Sequence, residues 1–224
     1  MSKLGFAIIT SNREAAFNSC YNSIVKYASK DSVIAVVENS SMLNYAYKAP
    51  YYFLYPDRVT ISVAKNKAMQ MLYDKDCDYF FIIEDDVIAL CENWFLPYVE
   101  SPAPHLCYTF LPSSGEFKGI KHHALGNGCM LYFTKECIDR IGGFDTNYPN
   151  KYDHIDLSRR IYNAGITLHQ FGDVVGSEKL LYCLDQDKAI ERSFTEEQMA
   201  ENLQKGFEHF NATRNNSNYI EFRT

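Results

Sequence analysis

Three consecutive carboxylates, Glu84-Asp85-Asp86, follow directly on the apolar run Tyr79-Phe80-Phe81-Ile82-Ile83. The run is rich in β-formers and lacks alternation, which predicts a strand buried on both faces. Such a strand sets its acidic end at the rim of a parallel sheet, where open α/β sheets bind their ligands. Adjacent carboxylates repel, so they stay ionised together only with a cation or hydrogen-bond donors among them. Two readings follow. Oxygen ligands of this kind suit Mg2+ or Mn2+ shared with substrate phosphates. They also suit a solvated acidic turn after a core strand.

A strand so placed needs parallel neighbours, and the preceding sequence supplies them. Residues 4–9 read as an apolar strand stopped by Thr10-Ser11-Asn12-Arg13, and 15–28 as a helix carrying Phe17, Tyr21, Ile24 and Val25. Residues 33–37 form a second buried strand ending in Glu38-Asn39, so the opening predicts a parallel pair with a right-handed crossover. The segment 44–56 holds Pro50 and Pro56 and is expected to be irregular or an edge strand. Ser62 is expected to cap a helix over 63–73 that leads into the acidic strand.

Further on, a short helix is expected over 92–99, a strand over 106–111, a long loop over 112–126 and a strand over 127–133. Thr134 should cap a helix to Ile141 closed by Gly142-Gly143. Another helix runs from Asp153 through Ile161 to a stop at Gly165, followed by a strand over 167–171. Thr195-Glu196-Glu197-Gln198 is a capping box for a helix to Phe210, whose stripe of Met199, Leu203, Phe207 and Phe210 is expected to pack inward.

With 224 residues, 46% hydrophobic and 15% aromatic, the chain can bury the core of one domain and is not disordered. A net charge of −6 gives no support to a general nucleic-acid or anionic-membrane surface. The seven cysteines are scattered, odd in number and without Cys-x-x-Cys, so free thiols in a reducing compartment are expected. No secretory leader or membrane-length apolar run is seen, and a soluble cytoplasmic protein is expected.

Three segments together resemble the nucleotide-sugar glycosyltransferases of the GT-A fold, chiefly the family 2 type. The first is Phe6-Ala7-Ile8-Ile9-Thr10-Ser11-Asn12-Arg13-Glu14. The second is Ser62-Val63-Ala64-Lys65-Asn66-Lys67-Ala68 followed by Asp78 and the acidic strand, similar to that family's helix and Asp-x-Asp motif. The third joins Gly126-Asn127-Gly128-Cys129-Met130, Ile141-Gly142-Gly143-Phe144-Asp145 and the stretch Tyr152-Asp153-His154-Ile155-Asp156 through Gly165. The motifs cover roughly residues 4–177 and are specific in combination. The resemblance implies a single α/β domain of GT-A (Rossmann-like) architecture, with a mostly parallel central sheet flanked by helices and a C-terminal helix. Residues 1–100 would be the nucleotide-binding half, 101–180 the acceptor-binding half, and 181–224 the C-terminal helix and tail.

The resemblance also implies roles. The activity would be transfer of a sugar from a UDP- or GDP-sugar to an acceptor hydroxyl on a glycan, a protein or a hydroxylated nucleobase, with Mn2+ or Mg2+, and inverting. Thr10 and Arg13 would lie against the nucleotide, and Glu38, where the family more often has Asp, at the base or ribose. Lys65 and Asn66 would touch the nucleotide or diphosphate, with Asp85 counted in the donor site. Glu84 and Asp86 take the two Asp-x-Asp positions as metal ligands, and Gly142 to Asp145 would line the acceptor site. Asp153-His154 stands where inverting members usually carry Glu-Asp, so either residue is the expected base.

Bland readings stand beside these. Asp153 and Asp156 at a helix start also look like an N-cap and a dipole partner, and Asp156 is expected to be structural. Lys118, Lys121, His122 and His123 make either a lid over the diphosphate or a solvated basic loop, and His169 reads as a core or edge histidine. The competing functions are a binding-only module of the same fold and a sugar-phosphate nucleotidyltransferase. The latter normally needs a Gly-rich first turn, which Thr10-Ser11-Asn12-Arg13 lacks.

Overall fold

The computed structural model describes residues 2–39, 49–187 and 195–223. In chain order it has β1 (Leu4–Thr10), α1 (Glu14–Tyr27), β2 (Val33–Glu38), β3 (Tyr51–Leu54), α2 (Ile61–Tyr73), β4 (Tyr79–Glu84), β5 (Val87–Ala89), α3 (Leu96–Val99) and β6 (His105–Cys107). There follow β7 (Ser113–Phe117), β8 (Ile120–His123), β9 (Met130–Thr134), α4 (Lys135–Ile141), α5 (Asp153–Asn163), β10 (Gly172–Val174), β11 (Leu181–Cys183) and α6 (Glu196–Thr213).

The central sheet has the order β3-β2-β1-β4-β9-β6. The neighbours β3-β2, β2-β1 and β1-β4 are parallel, and β9 runs against β4 and β6. The expected α/β domain with a mostly parallel sheet is therefore present, and β3 is one of its edges, opposite β6. The part of the Tyr-rich stretch before Ala49 lies outside the described residues. Along β4, Phe81 and Ile83 enter one core with Phe6, Ile8, Trp94 and Tyr132, while Phe80 and Ile82 enter another with Ala7, Val37, Leu131 and Phe133. Burial of both faces explains the unbroken apolar run. Because β2 and β4 flank β1 on opposite sides, the chain reverses its winding there. That reversal opens a crevice beyond the carboxyl ends of β1 and β4, where Thr10 and Glu84 end their strands.

Several local expectations give way to the structure. The long loop expected over 112–126 contains the hairpin β7–β8, which β10 extends to a three-stranded antiparallel sheet. Its two-residue turn is Lys118-Gly119, with φ of 51° and 76°, the mirror-type turn that matches strand twist. The strand expected over 167–171 is irregular, and the ladder begins only at Gly172. Helix α2 starts at Ile61 after Thr60, so Ser62 is its second residue, buried rather than capping. Thr134 does cap α4, accepting the Cys137 N–H, and Thr195 and Gln198 form the capping box of α6. The α6 stripe is displaced by about a residue. Leu203 and Phe207 are half exposed, and Gly206 and Phe210 turn inward.

The described cysteines are all free. Among the described residues no helix is long and apolar enough to cross a membrane.

Candidate active site

Each carboxylate of the acidic turn meets a different environment, because the turn leaves the carboxyl end of β4, a central strand of the sheet. Asp85 folds back under β1, fully buried, and accepts from Thr10 Oγ1 at 2.6 Å, from Arg13 Nε at 3.3 Å and from Arg13 Nη2. It orients the first turn rather than facing a ligand. Arg13 then stands with Nη1 4.0 Å from Asp86 Oδ2, and Asp85, Asp86 and Glu84 hold its guanidinium charged against the cost of burial.

Asp86 is buried at the wall of the site. Its Oδ1 is buried and has no hydrogen-bond partner among the described residues. Burial first, and then the charges of Glu84 and Asp85, push its carboxyl up to about 8 against the pull of Arg13. Asp185 adds to the same push, is exposed, and lines the cleft with Asp86. The Leu184 N–H donates to the Asp86 carbonyl at 2.9 Å, which sets Asp185 opposite. No sequence motif marks Asp185; only the pairing of β11 with β5 brings it there.

Glu84 lines the cleft too, but its Oε1 is 2.9 Å from Lys65 Nζ. Lys65 is only 1% exposed and lies behind the cleft wall. The structure therefore does not bring it to the donor position expected for it. Its ammonium also meets Asp153 Oδ2 at 3.0 Å and the Gly128 carbonyl at 3.3 Å. Asn66 is likewise turned away: its amide clasps the Phe144 backbone, donating at 2.9 Å and accepting at 2.7 Å. Glu38 is buried at the end of β2 and accepts from Tyr52 Oη at 2.9 Å, whereas its neighbour Asn39 lines the cleft.

Two clefts share a wall. The first is lined by Thr10, Ser11, Arg13, Asn39, Arg58 and Asn202 from β1, the β3–α2 region and α6. The second is lined by Phe110, Asn127, Gly128, Cys129, Asp153 and His154. Glu84, Asp86, Lys151 and Asp185 border both. Arg58 and Lys151, which sequence reasoning did not single out, add positive charge to the first cleft.

Asp153 is the first residue of α5, after Tyr152, whose φ of 70° turns the chain sharply into the helix. Burial raises its carboxyl, but Lys65 and then His154 outweigh that and hold it well below the ordinary carboxylate range. His154 Nε2 donates to the Gly126 carbonyl at 3.1 Å, and its Nδ1 lies 3.6 Å from Asp153 Oδ1. Asp156 is paired with Arg160 Nε at 2.8 Å, and Arg160 also caps the carbonyls of Ile141 and Gly143.

Gly142 to Asp145 line neither cleft. Gly143 packs on Asn66 and Phe222, and Asp145 takes a 2.8 Å hydrogen bond from His209 of α6. The basic hairpin also lies apart: Lys121 pairs with Glu178, and His122 stacks on His169 with ring centroids 3.3 Å apart.

A divalent cation can be tested against these groups. Among the described residues no three His, Cys, Asp or Glu side chains already form a metal-binding set. The orphaned Oδ1 of Asp86, flanked by like charges, nevertheless fits a hard cation whose remaining ligands come from substrate oxygens and water.

A sheet of this order, with its acidic strand end at the winding reversal, has the α/β architecture found in solved GT-A glycosyltransferases. No protein-family description matches the sequence. An uncharacterized glycosyltransferase of Acanthamoeba polyphaga mimivirus is 27% identical over 189 residues, covering 70% of this chain and 72% of that protein. Among solved structures, a mannosyltransferase from Pyrobaculum calidifontis, in complex with GDP-Man and Mn2+, superposes with a TM-score of 0.62 at 13% identity. It is covered over 93% of this chain and 64% of its own, so this chain spans less than two thirds of its length. The TarS protein of S. aureus matches with a TM-score of 0.56 at 14% identity, over 96% of this chain and 74% of that structure. The catalytic domain of Drosophila beta1,4-galactosyltransferase 7, bound to xylobiose, gives 0.51 at 14% identity, over 92% and 81%.

Proposed function

We propose that the chain is a cation-dependent glycosyltransferase that moves a sugar from a nucleoside-diphosphate donor, UDP- or GDP-linked, to an acceptor hydroxyl. The carrying observation is Asp86: a buried carboxylate with an orphaned oxygen, set at the wall between two clefts. The fold shared with the GDP-Man- and Mn2+-bound mannosyltransferase supports the same reading.

In this reading the first cleft takes the donor. Thr10 and Arg13, fixed by Asp85, face the nucleotide, and Arg58 and Lys151 offset the charge of the diphosphate. Asp86 and Asp185, with Glu84 beside them, would hold Mn2+ or Mg2+, which supplies Lewis-acid stabilisation of the leaving diphosphate. The second cleft takes the acceptor, with the Gly126–Gly128 turn and His154 shaping it.

Of the two candidate bases the geometry favours Asp153. His154 spends Nε2–H on the Gly126 carbonyl, and its Nδ1, 3.6 Å from Asp153 Oδ1, stands beside that carboxylate without a hydrogen bond to it. Asp153 stays ionised across the working pH range, with Oδ2 on Lys65 and Oδ1 left to take the hydroxyl proton. Its low basicity weakens the driving force for that proton, while the fixed carboxylate contributes by position. A base in the cleft that adjoins the donor's supports an inverting displacement. The free thiols support a reducing, cytoplasmic setting.

Release of UDP or GDP from a panel of nucleotide sugars, with Mn2+ and after its chelation, tests the reading. Metal-dependent release, lost in Asp86→Ala, is expected. A folded protein that binds nucleotide without turnover would make it a binding module instead.

A further inference from the structure

The buried ammonium of Lys65 has three N–H donors and three acceptors, Glu84 Oε1 at 2.9 Å, Asp153 Oδ2 at 3.0 Å and the Gly128 carbonyl at 3.3 Å. No donor is left for a substrate. All three acceptors belong to residues that line the acceptor-side cleft, yet they come from three separate segments: the end of β4, the turn before β9 and the first turn of α5. Helix α2 delivers the amine from behind the wall, under the ring of Phe144, whose centroid is 5.5 Å from Nζ.

We infer that Lys65 is a positioning residue for glycosyl transfer, a three-armed brace that fixes the Asp153 carboxylate relative to the acidic turn that carries the donor. The inference rests on the proposed transfer reaction. A purely stabilising role would not require this chemistry, since a buried ion pair replaced by apolar groups of similar volume is often neutral in stability. A brace with one arm on the donor-side loop and another on the base does require it. The base must sit within hydrogen-bond reach of an acceptor hydroxyl that is itself placed against the donor, and a misplacement of about 1 Å costs on the order of 10²-fold in rate.

The titratable groups around Asp153 are Lys65 from α2, which also holds Glu84 at the end of β4, and its chain neighbour His154 on α5. Removing Lys65 leaves Asp153 and Glu84 with no cation between them, so Asp153 becomes free to rotate and harder to ionise.

The test compares Lys65→Met and Lys65→Arg with the wild type in metal-dependent donor turnover, in nucleoside-diphosphate binding by calorimetry with Mn2+, and in the pH profile of kcat. Lys65→Met should lose roughly 10²-fold in kcat and shift the acidic limb of its profile to higher pH. Its nucleotide affinity should change by less than about 3-fold, since Lys65 touches no donor. Lys65→Arg keeps the charge but presents a planar fork to three acceptors that do not share a plane, so it should fold and lose kcat with affinity retained. If Lys65→Met fails to fold, the Arg variant decides. An active wild type with kcat unchanged in a folded variant overturns the inference alone. Equal losses in kcat and nucleotide affinity overturn it too, by making Lys65 a general support. An inactive wild type that binds the donor overturns the transferase reading itself.

Discussion

The backbone N–H of Leu184 donates to the carbonyl of Asp86 across 2.9 Å, and this one bond hangs the exposed Asp185 opposite the buried Asp86. Two residues 99 positions apart in the chain thus form the two carboxylate arms of the proposed cation site, one rigid and one open. Asp185→Asn should leave folding stability within about 0.5 kcal/mol, as exposed substitutions do. The same change should raise the Mn2+ concentration for half-maximal turnover by roughly 10-fold. A metal titration of turnover checks it, and an unchanged midpoint would remove Asp185 from the site.

Asp86→Asn should act in opposite directions on stability and function. The carboxylate sits buried beside Glu84 and Asp85 with an unpartnered oxygen, so a neutral amide relieves repulsion and desolvation. Thermal unfolding without ligand should show a gain of about 1–3 kcal/mol. In the presence of Mn2+ and a nucleoside diphosphate the stabilisation expected of the wild type should vanish. A ligand that still raises the melting temperature of Asp86→Asn would contradict this arrangement.

The acidic strand and the opening strand–helix–strand were legible in the sequence because they rest on hydrophobic periodicity and crossover handedness, which act locally, whereas the winding reversal beside β1 came only with the strand order. The hairpin of β7 and β8 was not. Residues 113–117 are exposed throughout and carry no apolar face, and only Lys118-Gly119 hints at a tight turn. Lys65 and Asn66 were legible as a functional pair but not as to direction. They sit on the sheet-facing side of α2, and whether such side chains reach a ligand or a neighbouring segment depends on what packs behind them. Asp185 carried no signal at all, since its role comes from the β11–β5 pairing, a contact between distant parts of the chain.

Gly128→Ala probes the wall of the acceptor cleft. A Cβ there would stand 2.6 Å from His154 Nδ1 and 2.7 Å from its Cγ. The imidazole is held at its far end by the Gly126 carbonyl, so it must leave that hydrogen bond or push the turn aside. Overpacking of this kind costs about 1–3 kcal/mol. Displacing the turn also disturbs the carbonyl that Lys65 holds, so kcat should fall more than nucleotide affinity. Melting temperature and steady-state kinetics on one preparation separate the two effects, and an alanine variant with wild-type values in both would place His154 elsewhere.

A last prediction concerns His105, which lies in β6, away from the clefts. The ring is buried and stacked on Phe133 at 4.6 Å, with Nδ1 2.9 Å from the Tyr132 carbonyl and Nε2 2.8 Å from Ser158 Oγ. A carbonyl only accepts, so Nδ1 carries the hydrogen and Nε2 accepts from the serine hydroxyl, which is a neutral imidazole with both nitrogens used. Burial lowers its pKa from 6.5 to about 4. The unfolded chain therefore takes up a proton before the folded one does. The resulting stabilisation is present above pH 6.5 and is lost as pH falls through 4, a difference of roughly 3 kcal/mol. Asp173, raised to about 6 by burial, works the other way, since its protonation on acidification favours the folded state. The wild-type slope mixes these, so the informative quantity is the difference between wild type and His105→Asn. Denaturant unfolding at pH 7 and pH 4 should show the variant losing less stability on acidification by about that amount. Equal losses in the two proteins would mean that His105 is not held neutral by the fold.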